Sequence, residues 1–377
     1  MDKIRIGIVG CGFIANGKHL FSMSLRDDVE VVGFCDIVPE RAEAAAKKYG
    51  TPDALVCTDY RDLLARPDID VVHVCTPNNS HAEISIAALE SGKHVMCEKP
   101  MAKTAAEAKA MLDASRANGK LLTIGYQNRF REDSLFMKNL CGNGDLGEIY
   151  FAKAFALRRR GVPVWGVFMD KEKQGGGPLI DLATHALDLT LWMMDNYEPV
   201  TVLGVTFDKL AKIGSSANIM GPWDPAKFEV EDSAFGLVKF KNGATVIVEA
   251  SWALNTVLAN EGMTLLCGTK AGADMFPPTG PVVRTSDWQA APAYYVRVNG
   301  EHNGKLYVQN YTMGGSFLAD GGVKEQFVGG MKELDVWLKA IRGEDDLVVK
   351  PEQAYVVTRI LEAIYQSALS GDAVHLD

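Results

Sequence analysis

A chain of 377 residues is long enough for two hydrophobic cores, and 47% hydrophobic with 23% charged residues marks a globular protein rather than a disordered one. Forty-eight acidic against 39 basic side chains leave a net charge of −9, which argues against a nucleic-acid partner, since phosphate binding rests on an excess of Lys and Arg. No apolar run approaches the roughly 18 residues that span a bilayer, so no membrane partner is expected. A strand pattern starting at Ile4 leaves no room for a cleavable leader. The 7 cysteines show no CxxC or other zinc spacing and read as reduced thiols of a cytoplasmic protein.

The first element is IRIGIVGCGFIANGKHL: a buried strand, a glycine turn and a helix start. Gly10 permits the tight turn and Gly12 lets a pyrophosphate approach the backbone. Ala15 at the third position of GxGxxG/A is small enough for strand–helix packing. Phe13 and Ile14 lie inside the turn and are counted with the cofactor site. The next strand, VEVVGFCD, ends at Asp36, 24 residues after Gly12, where a carboxylate can accept hydrogen bonds from the adenosine ribose. A carboxylate there repels a 2′-phosphate, so NAD is expected and NADP disfavoured. Arg41, in the helix opened by Pro39 and closed by Gly50, lies against adenine or reaches a 2′-phosphate; the first carries more weight.

The strand VVHVC runs into TPNNSH, a loop at the carboxyl end where ligands of open α/β sheets gather. Thr76, Pro77 and Asn78 are therefore cofactor candidates. His81 is counted with them, although capping or packing at the next helix start is its more ordinary use. The strand KHVMC ends in Glu98-Lys99-Pro100, followed by a helix from Thr104 with Glu107 completing a capping box. Glu98 and Lys99 fall at the cofactor end of the sheet. A fixed Lys99 ammonium can hold a substrate hydroxyl and stabilise a developing alkoxide, against the plain alternative of a solvated lysine. LLTIGYQNRF supplies the last strand and brings Gln127 to the same end. The expectation is a Rossmann doubly wound parallel sheet over residues 1–126, binding NAD.

Beyond residue 127 the strands lengthen and alternate: GEIYFAKAFALRRR, VTVLGVTF, EDSAFGLVKF, GATVIVEASWAL and GMTLLCGTK. Asn242-Gly243 signals a hairpin. Two amphipathic helices follow, VKEQFVGGMKELDVWLKAIRG and PEQAYVVTRILEAIYQSAL. The expectation for 127–377 is an α+β domain with a large, open, mostly antiparallel sheet, serving substrate binding and oligomerisation. Arg158, Arg159 and Arg160 leave the first of these strands. They can hydrogen-bond sugar hydroxyls or a carboxylate; because alternation sends neighbours to opposite sides, a solvated face or subunit contact is the reading for at least two of them, and Arg158 is counted as the candidate substrate ligand. Trp165 can stack on a pyranose face.

Within this domain QGGGPLIDLATHALDLTLWMM predicts a helix from Pro178. Asp181 and His185 lie one turn apart on one face, and Asp188 continues the stripe. A carboxylate can fix the imidazole tautomer and raise its basicity, so that His185 takes a hydroxyl proton. The three glycines are read as room for substrate or cofactor. From this helix alone a mutually satisfied structural pair weighs slightly more. A metal does not fit two visible ligands, and none is expected.

In order along the chain, GIVGCGFIA, CTPNNSHAE, CEKPMA, GGGPLIDLATHALD and EAIYQSALSG resemble the family of NAD(P)-dependent sugar and cyclitol oxidoreductases that includes glucose–fructose oxidoreductase and inositol dehydrogenase. The resemblance implies an NAD-dependent dehydrogenase oxidising a secondary hydroxyl of a sugar, glycoside or cyclitol, assembled as a homodimer or homotetramer through the second domain's sheet. It implies His185 as general acid/base, Asp181 as its partner and a substrate ligand, and Lys99 as the group polarising the reacting oxygen. Two alternatives stay open: redox-neutral glycoside processing with a tightly bound cofactor, and a catalytically inactive NAD- or sugar-sensing binder.

Overall fold

Ile4, Ile6, Ile8 and Val9 are all buried, so IRIGIV forms a strand covered on both faces, as the centre of a parallel sheet requires. It is β1 (Ile4–Val9) of six parallel strands, with β2 (Val29–Cys35), β3 (Leu55–Cys57), β4 (Val71–Val74), β5 (His94–Cys97) and β6 (Leu122–Ile124). The order β3-β2-β1-β4-β5-β6 reverses direction at β1, and the carboxyl ends of β1 and β4 flank that switch point. The computed structural model describes residues 3–277, 294–313 and 325–376, with side chains of the last stretch from 329 onward.

Local signals set the first unit's helices. Pro39 opens the helix Pro39–Tyr49 and Gly50 follows it. Thr104 accepts from the Glu107 amide while the Glu107 carboxylate accepts from the Thr104 amide, capping the helix Ala105–Asn118. The glycine turn behaves differently from expectation. Its helix is wound as a wide π-helical stretch, Ala15–Leu20, before a single α-turn.

Contacts divide the chain into Met1–Gln127 with Val323–Tyr355, and Asn128–Gly322 with Val356–Asp377. The helix Glu325–Ile341 thus groups with the first unit, although sequence order puts it inside 127–377. The reason is its apolar stripe: Leu334, Trp337 and Leu338 join the core formed by Ile4, Ile6, Ile8, Val31 and Phe34. The Val323–Lys324 opening expected of this helix lies outside the described residues.

The second unit is built on nine strands: β7 (Ile149–Leu157), β8 (Pro199–Phe207), β9 (Ser233–Phe240), β10 (Thr245–Ser251), β11 (Glu261–Gly268), β12 (Ala271–Asp274), β13 (Tyr294–His302), β14 (Lys305–Met313) and β15 (Val374–His375). Their order is β14-β13-β12-β11-β7-β10-β9-β8-β15, antiparallel except where β7 and β10 run parallel. Asn242-Gly243 turns the β9–β10 hairpin. One face is dry and made of small or branched residues, among them Ala152, Ala154, Ala234, Val238, Val246 and Val248. The helix Thr184–Met194 packs there, over β7 and β11. Leu203, Val205, Phe207 and Leu237 alternate outward and are exposed.

Candidate active site

Gly10 has φ +88°, and a Cβ there would sit 2.6 Å from the Cys75 carbonyl oxygen and 2.9 Å from the Thr76 nitrogen. Only glycine allows the β1 turn to nest on the end of β4. Gly12 is the opposite case. Nothing lies within 4 Å of where its Cβ would be, so this side of the backbone is open to a phosphate group. Asn16 folds its amide back onto the Cys11 and Gly12 carbonyls, at 2.9 Å each.

Asp36 is buried at the end of β2. Its Oδ2 accepts from the Cys11 amide at 2.8 Å and its Oδ1 from the Val38 amide at 2.9 Å. The carboxylate therefore braces the glycine turn and keeps one further acceptor position on each oxygen, as a ribose diol needs. Phe13 is 86% exposed and Ile37 88%, and Arg41 is exposed. Ile37 was not foreseen. An exposed isoleucine directly after the strand-end acid is the signal that marks it. The open glycine backbone and the fixed acid fit NAD.

Thr76 accepts from Ser80 at 2.8 Å, and Asn78 is buried beside it. His81 does not offer itself to a cofactor. Its Nδ1 lies 2.8 Å from the Pro100 carbonyl and its Nε2 2.9 Å from the Thr76 carbonyl; the neutral ring donates to one of them and sits buried between the two loops. Burial holds its pKa below the ordinary value.

Glu98 likewise turns inward. Its Oε1 pairs with Lys18 and accepts from His19 Nε2 at 2.8 Å, while Oε2 accepts from the Lys99 amide at 3.2 Å. Lys18 also pairs with Glu333 at 2.9 Å. Burial raises the Glu98 pKa, but Lys18 and His19 outweigh it and hold the carboxyl well below the usual range. Because His19 donates through Nε2, its Nδ1 accepts from His73 Nδ1 at 2.8 Å, and both rings are neutral. Lys99, half-buried, is thus fixed through its main chain by a buried ionic cluster. The Gln127 Oε1 is buried with no hydrogen-bond partner.

In the second unit the expected α-helix from Pro178 begins instead as a π-helical turn, Leu179–Ala183, and continues as the α-helix Thr184–Met194. Asp181 is buried in the π-turn and His185 is half-buried one turn later. Trp252 Nε1 donates to Asp181 Oδ2 at 3.0 Å. Trp252 meets Phe168 edge-on at 6.4 Å, and Phe168 meets Trp165 at 6.0 Å, so aromatic contacts run from the Asp181 partner to a tryptophan that is 49% exposed. Trp252 was not foreseen; it lies just past the end of β10.

Three expectations need correction. Asp188 does not extend the Asp181–His185 stripe, because Arg129 takes both its oxygens, at 2.9 and 2.6 Å, in a fully buried pair. Arg158 does not present a free fork. Glu261 holds it at 2.7 Å twice and the Gly161 carbonyl accepts at 3.0 Å, and its field reaches Asp181. Gly176 and Gly177 do not leave room for a ligand either. Cβ atoms there would collide with the Tyr365 hydroxyl and the Glu231 carbonyl of the same chain. Arg160 is spent on the Arg159 and Leu254 carbonyls and Asn255, and Arg159 is exposed.

Among the described residues, no cluster of His, Cys, Asp or Glu could hold a metal, and no helix is long and apolar enough to cross a membrane. A doubly wound sheet with an open glycine turn and a strand-end acid is the architecture of a dinucleotide-binding Rossmann unit. The comparisons agree. Residues 4–126 match the oxidoreductase family with an NAD-binding Rossmann fold, and 135–273 match the GFO/IDH/MocA C-terminal domain. The chain is 36% identical to D-glucoside 3-dehydrogenase of Escherichia coli (strain K12), over 100% of this chain and 98% of that one. It is 30% identical to levoglucosan dehydrogenase of Pseudarthrobacter phenanthrenivorans over 67% of this chain and 68% of the relative. A levoglucosan dehydrogenase in complex with NADH shares the fold at TM-score 0.80 and 23% identity, covering 100% of both chains. The chain belongs to the GFO/IDH/MocA oxidoreductase family, with an NAD-binding Rossmann domain over residues 4–126.

Proposed function

We propose that the protein oxidises one secondary ring hydroxyl of a glucoside to the ketone, with His185 taking the hydroxyl proton. The observation that carries this is Asp181, buried and pinned by Trp252 at 3.0 Å, one turn ahead of a half-buried histidine on a rigid helix. The likeness to D-glucoside 3-dehydrogenase over the full chain supports the substrate class.

Bound NAD supplies the hydride acceptor. Gly10, Gly12 and the amides after them would hold the pyrophosphate, and Asp36 the ribose. Asp181 holds His185 in a basic orientation, so the proton leaves as the carbon–hydrogen bond breaks. Lys99, anchored through its main chain to Glu98, polarises the same oxygen as negative charge grows on it. Trp165 offers a sugar-stacking surface. Residues 1–126 serve the cofactor, and 127–377 serve substrate and assembly. The exposed Leu203, Val205, Phe207 and Leu237 support a homodimer or homotetramer through the outer sheet face, in the cytoplasm.

The test is NADH formation with a panel of glucosides. His185→Ala and Lys99→Ala should each lower kcat by about 10²–10⁴-fold, the usual worth of a general base or charge stabiliser, while NAD binding survives His185→Ala. Turnover within a few-fold of the parent in both variants would overturn the assignment.

A further inference from the structure

The helix bearing Asp181 and His185 starts on amides that no residue of its own segment satisfies. The Gly177 amide donates to Glu231 Oε2 at 2.9 Å and the Leu179 amide to Glu231 Oε1 at 3.2 Å. The Tyr365 hydroxyl donates to Glu231 Oε1 at 2.8 Å, and the backbone of Gly177 and Ile180 faces the same hydroxyl. Glu231 precedes β9, and Tyr365 belongs to the helix Pro351–Ser370. Two side chains from elements distant in sequence therefore do what an N-cap residue does locally.

The glycine run is the other half of this joint. A side chain at Gly176 would occupy the Tyr365 hydroxyl's position, and one at Gly177 the Glu231 backbone's. Pro178 follows and has no amide to satisfy. The segment is shaped to seat the cap, and the turn that is seated is the π-helical one carrying Asp181.

The geometry points to Glu231 and Tyr365 as positioning residues for the proton-transfer pair. They fix where the π-turn begins, and so the height and rotation of Asp181 and His185. This rests on the proposed roles of those two residues. It goes further in making the cap a device for function rather than stability. Burial raises the Glu231 pKa despite its amide and hydroxyl donors, so holding the charged carboxylate there costs folding free energy. Burial and Glu231 likewise push the Tyr365 hydroxyl well up, which keeps it a donor.

The experiment compares the full-length parent enzyme with Glu231→Gln, Tyr365→Phe and His185→Ala. The probe is the best glucoside of the panel, unlabelled and with deuterium on its ring carbons. Misplacing a reacting group by about 1 Å costs on the order of 10²-fold in rate. Glu231→Gln and Tyr365→Phe should therefore lower kcat about 10- to 100-fold, with KM and NAD affinity little changed. The isotope effect on kcat should rise as hydride transfer becomes limiting. Gly176→Ala, which pushes the Tyr365 hydroxyl off its seat while leaving Glu231 and Tyr365 chemically unchanged, should reproduce this if Glu231→Gln folds poorly. Unchanged kcat and isotope effect in Tyr365→Phe and Gly176→Ala would overturn the inference. So would losses matched by equal losses in NAD affinity and thermal midpoint. If His185→Ala retains turnover, the underlying functional reading falls; if only His185→Ala loses it, the positioning role alone falls.

Discussion

Two aspartates seven residues apart on one apolar helix end in opposite situations. Asp188 is fully buried and takes both forks of Arg129. Asp181 accepts from the Trp252 indole. The sequence places both on one stripe, since seven residues make about two α-helical turns. What separates them is an arginine 59 residues upstream, which periodicity cannot reveal. The consequence differs at each. Asp188→Ala strands a buried guanidinium and should cost about 3–5 kcal/mol of stability, read as a lower urea midpoint. Trp252→Phe keeps a ring against Phe168 and Phe228 but removes the donor. Loss of the donor and of part of a fully buried ring system should cost about 1–3 kcal/mol, while kcat falls roughly 10-fold. Activity loss in proportion to stability loss for both variants would show that Asp181 is merely structural.

At the scale of elements, what was legible is what is local. The Thr104–Glu107 capping box, Pro39 and Gly50 around their helix, and the Asn242-Gly243 hairpin all stand where sequence puts them. Each is decided by residues within a few positions of one another. Thr104→Ala should accordingly destabilise by about 1 kcal/mol, a modest drop in thermal midpoint with kcat unchanged. The two π-helical stretches, Ala15–Leu20 and Leu179–Ala183, were not legible. The second takes its start from Glu231 and Tyr365, far along the chain. β12, β14 and β15 were missed for another reason. AGAD and the two-residue β15 are too short to show a period, and most of β14 is exposed and gives no burial pattern. The catalytic candidates Lys99, Asp181 and His185 were read from motif order along the chain. Trp252, which bonds Asp181, and Glu231 and Tyr365, which seat the turn that carries it, were not legible, because such partners are fixed only by tertiary packing. His81 and Glu98 show the converse error: at the right end of the sheet, but turned inward by contacts with Pro100, Thr76, Lys18 and His19.

For the whole molecule, the inward-turned groups set the response to acid. Burial lowers the pKa of His19, His73, His81 and His94, and Lys18 pushes His19 and His73 further down. The Leu121 amide donates to His94 Nδ1 at 3.0 Å, so that nitrogen carries no proton. In the unfolded chain these rings protonate near the ordinary value of about 6.5. Their stability contribution is therefore present above that value and lost as pH falls through it. Glu333 works the other way. Burial, against the pull of Lys18, raises its carboxyl to about 7, so between the ordinary carboxylate value and that point the folded state holds the extra proton. Its contribution is lost as pH rises through that window. Within this cluster two depressed rings, His19 and His73, oppose the one raised carboxyl of Glu333, so its net effect is a urea midpoint that falls between pH 7 and pH 5. His73→Gln should flatten that fall by removing one depressed ring. Glu333→Gln should steepen it by removing the opposing group. A midpoint independent of pH over this range, or the same slope in both variants, would show that the Lys18–Glu98–His19–His73 cluster does not set the acid response.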